Sequence, residues 1–285
     1  MRRLTIPNVD DTAVLLSLTD SGAAAATQLR PHLASLNMSY RNYRNFQGNP
    51  WFVTQNAQLQ PLKVNFLDLY EAPPIALDFI GNLRDSASGA CPVCGRDGLG
   101  TLDHYLPKAD YAEFSFFSKN LIPACSRCNS ARSNLVRGTT SDHRPVHPYY
   151  DTFLSRQILT TELMPDWRAP SIKAVPFDVT GSTLATVQWH IENVINPSGF
   201  EAYVIDIWGK IVDSPADFFE GKIQIRAIKK ILTQLCKIEC INGGSLNTWR
   251  AALYHGILNN PDALQHIQEQ IKQQIHTRRL SMHLP

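Results

Sequence analysis

Residues 91–132 read CPVCGRDGLGTLDHYLPKADYAEFSFFSKNLIPACSRCNSAR, and the spacing within them decides how the middle of the chain folds. Two Cys-x-x-Cys pairs, Cys91/Cys94 and Cys125/Cys128, are separated by thirty residues. Four thiolates arranged in this way suit one tetrahedral zinc ion, with Zn–S bonds of about 2.3 Å. With every position filled by sulfur, such a zinc is structural: it pins two distant loops together and contributes folding energy directly. Gly95 and Gly98 supply the backbone freedom such turns often need. The competing readings are a redox dithiol and four unrelated core cysteines. A redox pair accounts for one Cys-x-x-Cys and leaves the other unexplained.

Between the pairs, Thr101–Asp103 has the length of a short strand with His104 at its end, and Leu121–Ala124 reads as an opposing strand. Ser126–Leu135 has the composition of a short helix, on which Asn129 and Arg132 are three apart and share a face. Hydrolysis of a phosphodiester needs a base for water, a cation for charge on the leaving oxygen, and a group that holds the base in line. Pairing of the strands with the helix packed across them brings Asp103, His104 and Asn129 around one point.

The pattern Cys-x-x-Cys, Asp103-His104-x-x-Pro107-Lys108, Asn120-Leu121-x-Pro123-x-Cys-x-x-Cys-Asn129-x-x-Arg132 resembles the zinc-bearing branch of the HNH endonucleases, the ββα-metal nucleases. The resemblance covers Cys91 to Asn134 and extends toward His147-Pro148-Tyr149-Tyr150-Asp151. It implies that His104 is the general base and that Asp103 and Asn129 hold one catalytic divalent cation. Their oxygen donors suit Mg²⁺. It further implies that Asn120 braces the loop carrying the base, and that Arg132 contacts phosphate where the family commonly has Lys. Asn129 stands where the family often has His, an H-N-N variant, which shifts the metal preference away from softer ions. Lys108 is a phosphate contact or a loop charge, and His147 with Tyr149-Tyr150-Asp151 is read as docking the module on its neighbours, the alternative being that His147 takes part in the site.

The whole chain is 285 residues and 32.0 kDa, 44% hydrophobic and 18% charged, an ordinary globular composition that excludes disorder and collagen. No apolar run approaches the roughly 20 residues needed to span a bilayer. Pro7, Asp10 and Asp11 interrupt the start before an apolar run develops, so no signal peptide is expected and the cytosol is the expected location. Lys plus Arg is 27 against 25 for Asp plus Glu, and between Cys91 and Tyr150 seven cations face five acids. A module with so small a surplus should bind DNA weakly alone. The expected function is therefore cleavage of phosphodiester bonds, in DNA by the family's habit, with a partner protein that delivers the substrate. Small proteins of this kind resemble effectors of bacterial anti-phage systems, in which a companion ATPase controls the nuclease. Two alternatives are a zinc-stabilised binding module without catalysis and an RNA-cutting toxin using the same site.

The expected fold class is α+β: a mostly helical chain around a central zinc-stapled ββα module, with a β-hairpin after it. Residues 1–85 form a mainly helical region, 86–151 the module, and 152–285 a hairpin followed by helices. Polar Arg84–Gly89 marks the first boundary. Helices are expected at Thr12–Leu18, Ala23–Leu36, Leu67–Leu83, Phe218–Cys240, Leu246–Leu258 and Asp262–Ile275, with Asn196, Asn247 and Asn260 as caps. The alternation in Ser171–Ile191 suggests a hairpin turning at Val179–Ser182. Cys236 and Cys240 read as buried small hydrophobes on a helix. Tyr40, Tyr43 and Phe46, interleaved with Arg41 and Arg44, fit either a helical core stripe or a stacking surface for nucleic acid. Gly95-x-x-Gly98-x-Gly100 lacks the strand and the Lys-Ser/Thr of a phosphate loop.

Overall fold

A computed structural model describes residues 1–85 and 88–281; Ser86 and Ala87, within the expected boundary stretch, lie outside the described residues. The fold is mixed α+β, with helices around two small antiparallel sheets among the described residues. None of the described helices is long and apolar enough to cross a membrane.

The N-terminal region contains α1 (Asp11–Asp20), α2 (Ala24–Thr27), α3 (Leu33–Asn45), α4 (Lys63–Glu71) and α5 (Phe79–Asp85). Asp10 caps α1 by accepting from the Thr12 and Ala13 amides. The expected Ala23–Leu36 helix is split by a tight turn at Arg30–His32, because Pro31 cannot continue an α-helical ladder. Pro73-Pro74 likewise separates α4 from α5, so they interrupt the Leu67–Leu83 segment. On α3, Tyr40 and Tyr43 are buried while Phe46 is exposed. Tyr40 stacks on Phe117 with centroids 4.2 Å apart, and Tyr43 meets Phe114 and Phe117 edge-on at 5.1 Å. The stripe is therefore core at two positions and surface at the third.

In the centre, β1 (Thr101–His104) pairs antiparallel with β2 (Leu121–Ala124), placing Asp103 opposite Ile122 and His104 opposite Leu121. A buried loop joins them and is fastened to the N-terminal helices. Asp11 accepts from the Ser118 amide at 3.0 Å and pairs with Lys119 Nζ at 2.6 Å. The helix α6 (Ser126–Arg132) follows β2, and Ser133 at φ +48° ends it, three residues sooner than its composition suggests.

After the module, β3 (Leu159–Met164) pairs with β4 (Ser171–Pro176). This hairpin corrects the sequence expectation, which placed its turn at 179–182 and its second strand beyond. Residues Gly181–His190 instead form helix α7, which continues as a wider π turn over Ile191–Ile195. Val187, Ile191, Val194 and Ile195 are buried at helical spacing, and that stripe outweighs the apparent alternation. Then follow α8 (Phe200–Asp213), α9 (Pro215–Phe218), α10 (Ile225–Gly243), α11 (Trp249–Leu258) and α12 (Pro261–Ser281). Asn260 caps α12 through the Ala263 amide, as expected. Asn247 does not cap α11, a role taken by Thr248; its side chain instead accepts from the Ile158 and Leu159 amides and donates to Arg156. Asn196 is not the N-cap of α8, where Gly199 stands, but closes the π turn, its amide donating to Ile191 C=O at 2.9 Å. Cys236 and Cys240 are half-buried rather than buried, and burial pushes the Cys236 thiol up to about 11. Buried side chains from Met1 to Ile271 form a contiguous hydrophobic cluster that runs through all three expected regions.

Candidate metal centre and catalytic site

The two Cys-x-x-Cys turns meet at one point. Their four buried sulfurs all lie within 4.8 Å of one another, with Cys91–Cys128 and Cys94–Cys125 at 3.6 Å and Cys125–Cys128 at 3.5 Å. A tetrahedron of thiolates around zinc has edges of about 3.8 Å, so the four cysteines could hold one ion. The thiols cannot all ionise unaided: those of Cys128, Cys91 and Cys94 hold Cys125 well below its ordinary range, and Cys128 is correspondingly pushed up. A dication removes that conflict. The first turn closes through Gly95 N–H donating to Cys91 C=O at 2.8 Å, and Gly95 sits at φ +87°. A side chain there would collide with Asn247 C=O and the Met1 amine, so backbone sign and space both demand glycine.

The chain packs tightly around this turn. Pro92 C=O accepts from the Arg2 amide at 3.1 Å, Val93 C=O faces His190 Nε2 at 2.7 Å, Cys94 C=O accepts from Trp249 Nε1 at 2.6 Å, and Gly95 C=O accepts from the Trp249 amide at 3.1 Å. Segments far apart in sequence are thereby joined to the first cysteine pair.

His104 ends β1 with its imidazole buried. Its Nε2 lies 2.9 Å from Ser115 C=O, which can only accept, so Nε2 carries the proton and Nδ1 is the bare nitrogen of the neutral ring. Burial lowers the imidazole to about 4 against the pull of the Ser115 carbonyl, and Lys108 and Arg132 add to the lowering. His104 is therefore neutral at pH 7. Ser115 is held in place by the loop's own geometry, which Asn120 closes: its Oδ1 accepts from the Leu106 amide at 2.8 Å, and its Nδ2 donates to Leu106 C=O and Phe114 C=O. Tyr43 O–H donates to the same Oδ1 at 3.1 Å and also meets His147 Nε2 at 3.1 Å. His147 is fully buried against Tyr105, Tyr149 and Tyr150, and Asp151 pairs with Arg144, so this segment packs beneath the loop.

Asp103 and Asn129 adjoin α6. Asn129 Nδ2 donates to Thr101 Oγ1 at 3.3 Å and Leu102 C=O at 3.4 Å, and its Oδ1 accepts no hydrogen bond among the described residues. Both Asp103 oxygens are engaged by Arg132, Oδ2 with Nε at 3.1 Å and Oδ1 with Nη2 at 2.6 Å. The same guanidinium donates to the carbonyls of His104 and Tyr105. Arg132 is only 2% exposed, so in this arrangement it is a buried strut and not the phosphate contact expected of it. Asp103 keeps lone pairs for a cation only where Arg132 leaves them. Burial raises the Asp103 carboxyl, and Arg132 opposes the rise.

The N-terminal region supplies a residue that sequence reasoning missed. Tyr70 of α4 meets the His104 ring edge-on at 4.5 Å. Burial raises its phenol, Arg84 opposes the rise, and the Asp103 carboxylate adds to it, so Tyr70 borders both His104 and Asp103. Lys108 lies 4.8 Å over the Tyr70 ring and pairs with Glu71 at 3.3 Å. That exposed pair is weak enough for Lys108 to exchange Glu71 for another anion. Nothing in the sequence around Tyr70 marks it, because its role comes from a contact across more than thirty residues.

The arrangement defines a protein class: a mixed α+β chain built around a four-thiol site that could hold zinc. No family model matches the chain, and no solved structure matches it. Over 77 residues it is 40% identical to protein ea31 of Escherichia phage lambda, a match covering 27% of this chain and 26% of that protein. The chain thus spans about a quarter of the length of that curated relative.

Three outcomes follow from this geometry. Purified protein should contain about one zinc per chain, and Cys125→Ser should lower both metal content and melting temperature; an unchanged melting temperature removes the metal from the fold. Arg132→Ala should lower unfolding free energy by about 3–5 kcal/mol, because it strands the buried Asp103 carboxylate. A urea midpoint close to wild type would show that the strut carries no load. His104, His147 and His190 are all lowered chiefly by burial, His104 to about 4 and His190 to about 3. Unfolded imidazole titrates near 6.5, so the stability tied to these neutral rings is complete above that pH and is lost as pH falls through the folded values. Histidine NMR resonances should therefore keep these three rings neutral at about pH 5, where an ordinary imidazole is protonated.

Proposed function

We propose that this chain is a metal-dependent endonuclease of the HNH type that hydrolyses phosphodiester bonds in DNA. The observation that carries the reading is the His104 imidazole, fixed at a strand end by Ser115 C=O with its Nδ1 left bare. Such a nitrogen takes the proton from a water as it attacks phosphorus, and the neutral state at pH 7 keeps it available. Asn120 holds the loop that carries Ser115, so it sets the tautomer and aim of the base at one remove. Asp103 and Asn129 offer hard oxygen donors on adjoining elements, suited to Mg²⁺. A divalent cation held there would offset charge on the leaving oxygen. Lys108 is placed to take a phosphate when it releases Glu71. Structural zinc completes the reading, with the cysteines holding the strands and helix together.

The near-zero net charge supports a further part of the reading, a protein partner that brings the nuclease to its substrate. An ATPase partner and a role in anti-phage defence follow from the family resemblance alone. The Arg132–Asp103 pair favours a second reading, a zinc-stabilised binding module without catalysis, because it occupies both oxygens of the acid.

One assay separates the two. Wild type and His104→Ala are incubated with supercoiled plasmid, single-stranded DNA and structured RNA, with and without Mg²⁺, alone and with proteins that co-purify. Loss of the base should reduce Mg²⁺-dependent cutting by about 10²–10⁴-fold. Equal cutting by both proteins ends the enzyme reading, and preferential cutting of RNA moves the substrate.

A further inference from the structure

The balance of charges over the whole chain conceals a local imbalance. No Asp or Glu occurs from Ser21 to Leu67, nor from Phe114 to Ser141. These two acid-free stretches meet. Asn49 Nδ2 donates to Ser141 C=O at 3.5 Å, and the Arg137 guanidinium lies 5.7 Å over the Trp51 ring. Arg41, Arg44 and Arg137 are exposed, and none of them has an acidic partner among the described residues.

The turn after α3 carries two exposed aromatic rings, while the Arg44 guanidinium lies 5.9 Å over the Phe117 ring. Phe46 is 44% exposed and Phe52 50%, with ring centroids 5.7 Å apart and planes tilted by 37°. The backbone that carries them is well fastened. Gly48 N–H donates to Tyr43 C=O, Val53 N–H to Asn49 C=O, and Trp51 N–H to Asn49 Oδ1 at 3.0 Å. The rings are thus presented by a rigid turn, and little order remains to be gained on binding.

We propose that Phe46 and Phe52, together with the exposed cations Arg41, Arg44 and Arg137 of the two acid-free stretches, form a platform that binds single-stranded DNA. Aromatic rings reach base faces only where the bases are unstacked, and an intact duplex hides those faces. Exposed arginines without acidic partners neutralise the phosphates of the same strand. The platform is coupled to the site through α3, since Tyr43, three residues before Phe46, donates to Asn120. The inference deepens the nuclease reading by naming the form of its substrate, and it is tested by binding alone, so either can fail without the other.

The test uses the full chain, with no added Mg²⁺ and no chelator. Labelled DNA of about 20 nucleotides, longer than the ~4–16 covered by one single-strand-binding OB fold, is titrated by fluorescence anisotropy as a single strand, a duplex and the matching RNA. The single strand should bind at least about tenfold tighter than the duplex, and Phe46→Ala with Phe52→Ala should weaken it by about tenfold or more. Arg41→Gln with Arg44→Gln should reduce the salt slope by about 1.4, the release expected for two phosphates of a single strand. Lys210→Gln, on an exposed face of α8, should change neither quantity. Equal affinity for duplex and single strand, tighter binding of RNA, or an unaltered affinity in the folded double-Phe variant would each overturn the proposal.

Discussion

A buried backbone turn must find a partner for each polar group it takes out of water. The turn at residues 91–95 does so with almost nothing of its own. One carbonyl is satisfied within the turn, and the next four face donors from Arg2, from α7 and from the start of α11. The cysteine cluster therefore holds more than the two turns that carry it. It fixes the meeting point of three regions of chain, and the register of β1 against β2 and the start of α6 are set from there. Gly95 is where this crowding is most severe, since backbone from the C-terminal region and the Met1 amine occupy the space a side chain would need.

The chemistry proposed for the site depends on the same economy of hydrogen bonds. A histidine can present either nitrogen, and here the choice follows from one backbone carbonyl aimed at Nε2. That carbonyl keeps its place because Asn120 ties both ends of the loop, and Asn120 is in turn held by Tyr43. Arg132 lies between structure and reactivity. It binds Asp103 beside His104 and the carbonyls of His104 and Tyr105, so the carboxylate is positioned at the cost of part of its capacity for a cation.

Local spacing made much of this legible from sequence. The two cysteine pairs, the strand pair and the turn into α6 each depend on residues within a few positions of one another, and the structure places them together. Pro31 and Pro73-Pro74 break helices through simple sterics, yet the helices expected at Ala23–Leu36 and Leu67–Leu83 ran across them. Features set by distant contacts were not legible. Residues 181–190 carry both an alternating and a helical pattern, and only packing decides between them. Arg132 has the appearance of a surface cation until Asp103 and two carbonyls close around it. Tyr70 reaches His104 from a helix whose sequence gives no hint of a site. The +2 net charge describes the whole chain and does not show that acids are absent from two long stretches.

The crowding at the first cysteine turn also bears on what becomes of the chain in a cell. If the four sulfurs hold zinc, a newly made copy that lacks the ion leaves the meeting point of its N-terminal, central and C-terminal parts unassembled at once. Such a copy would expose apolar surface throughout and be cleared by proteases, so metal supply would act as a quality checkpoint on the amount of protein. Few half-built molecules would persist, and a protein assembled in this way would be present complete or scarcely at all.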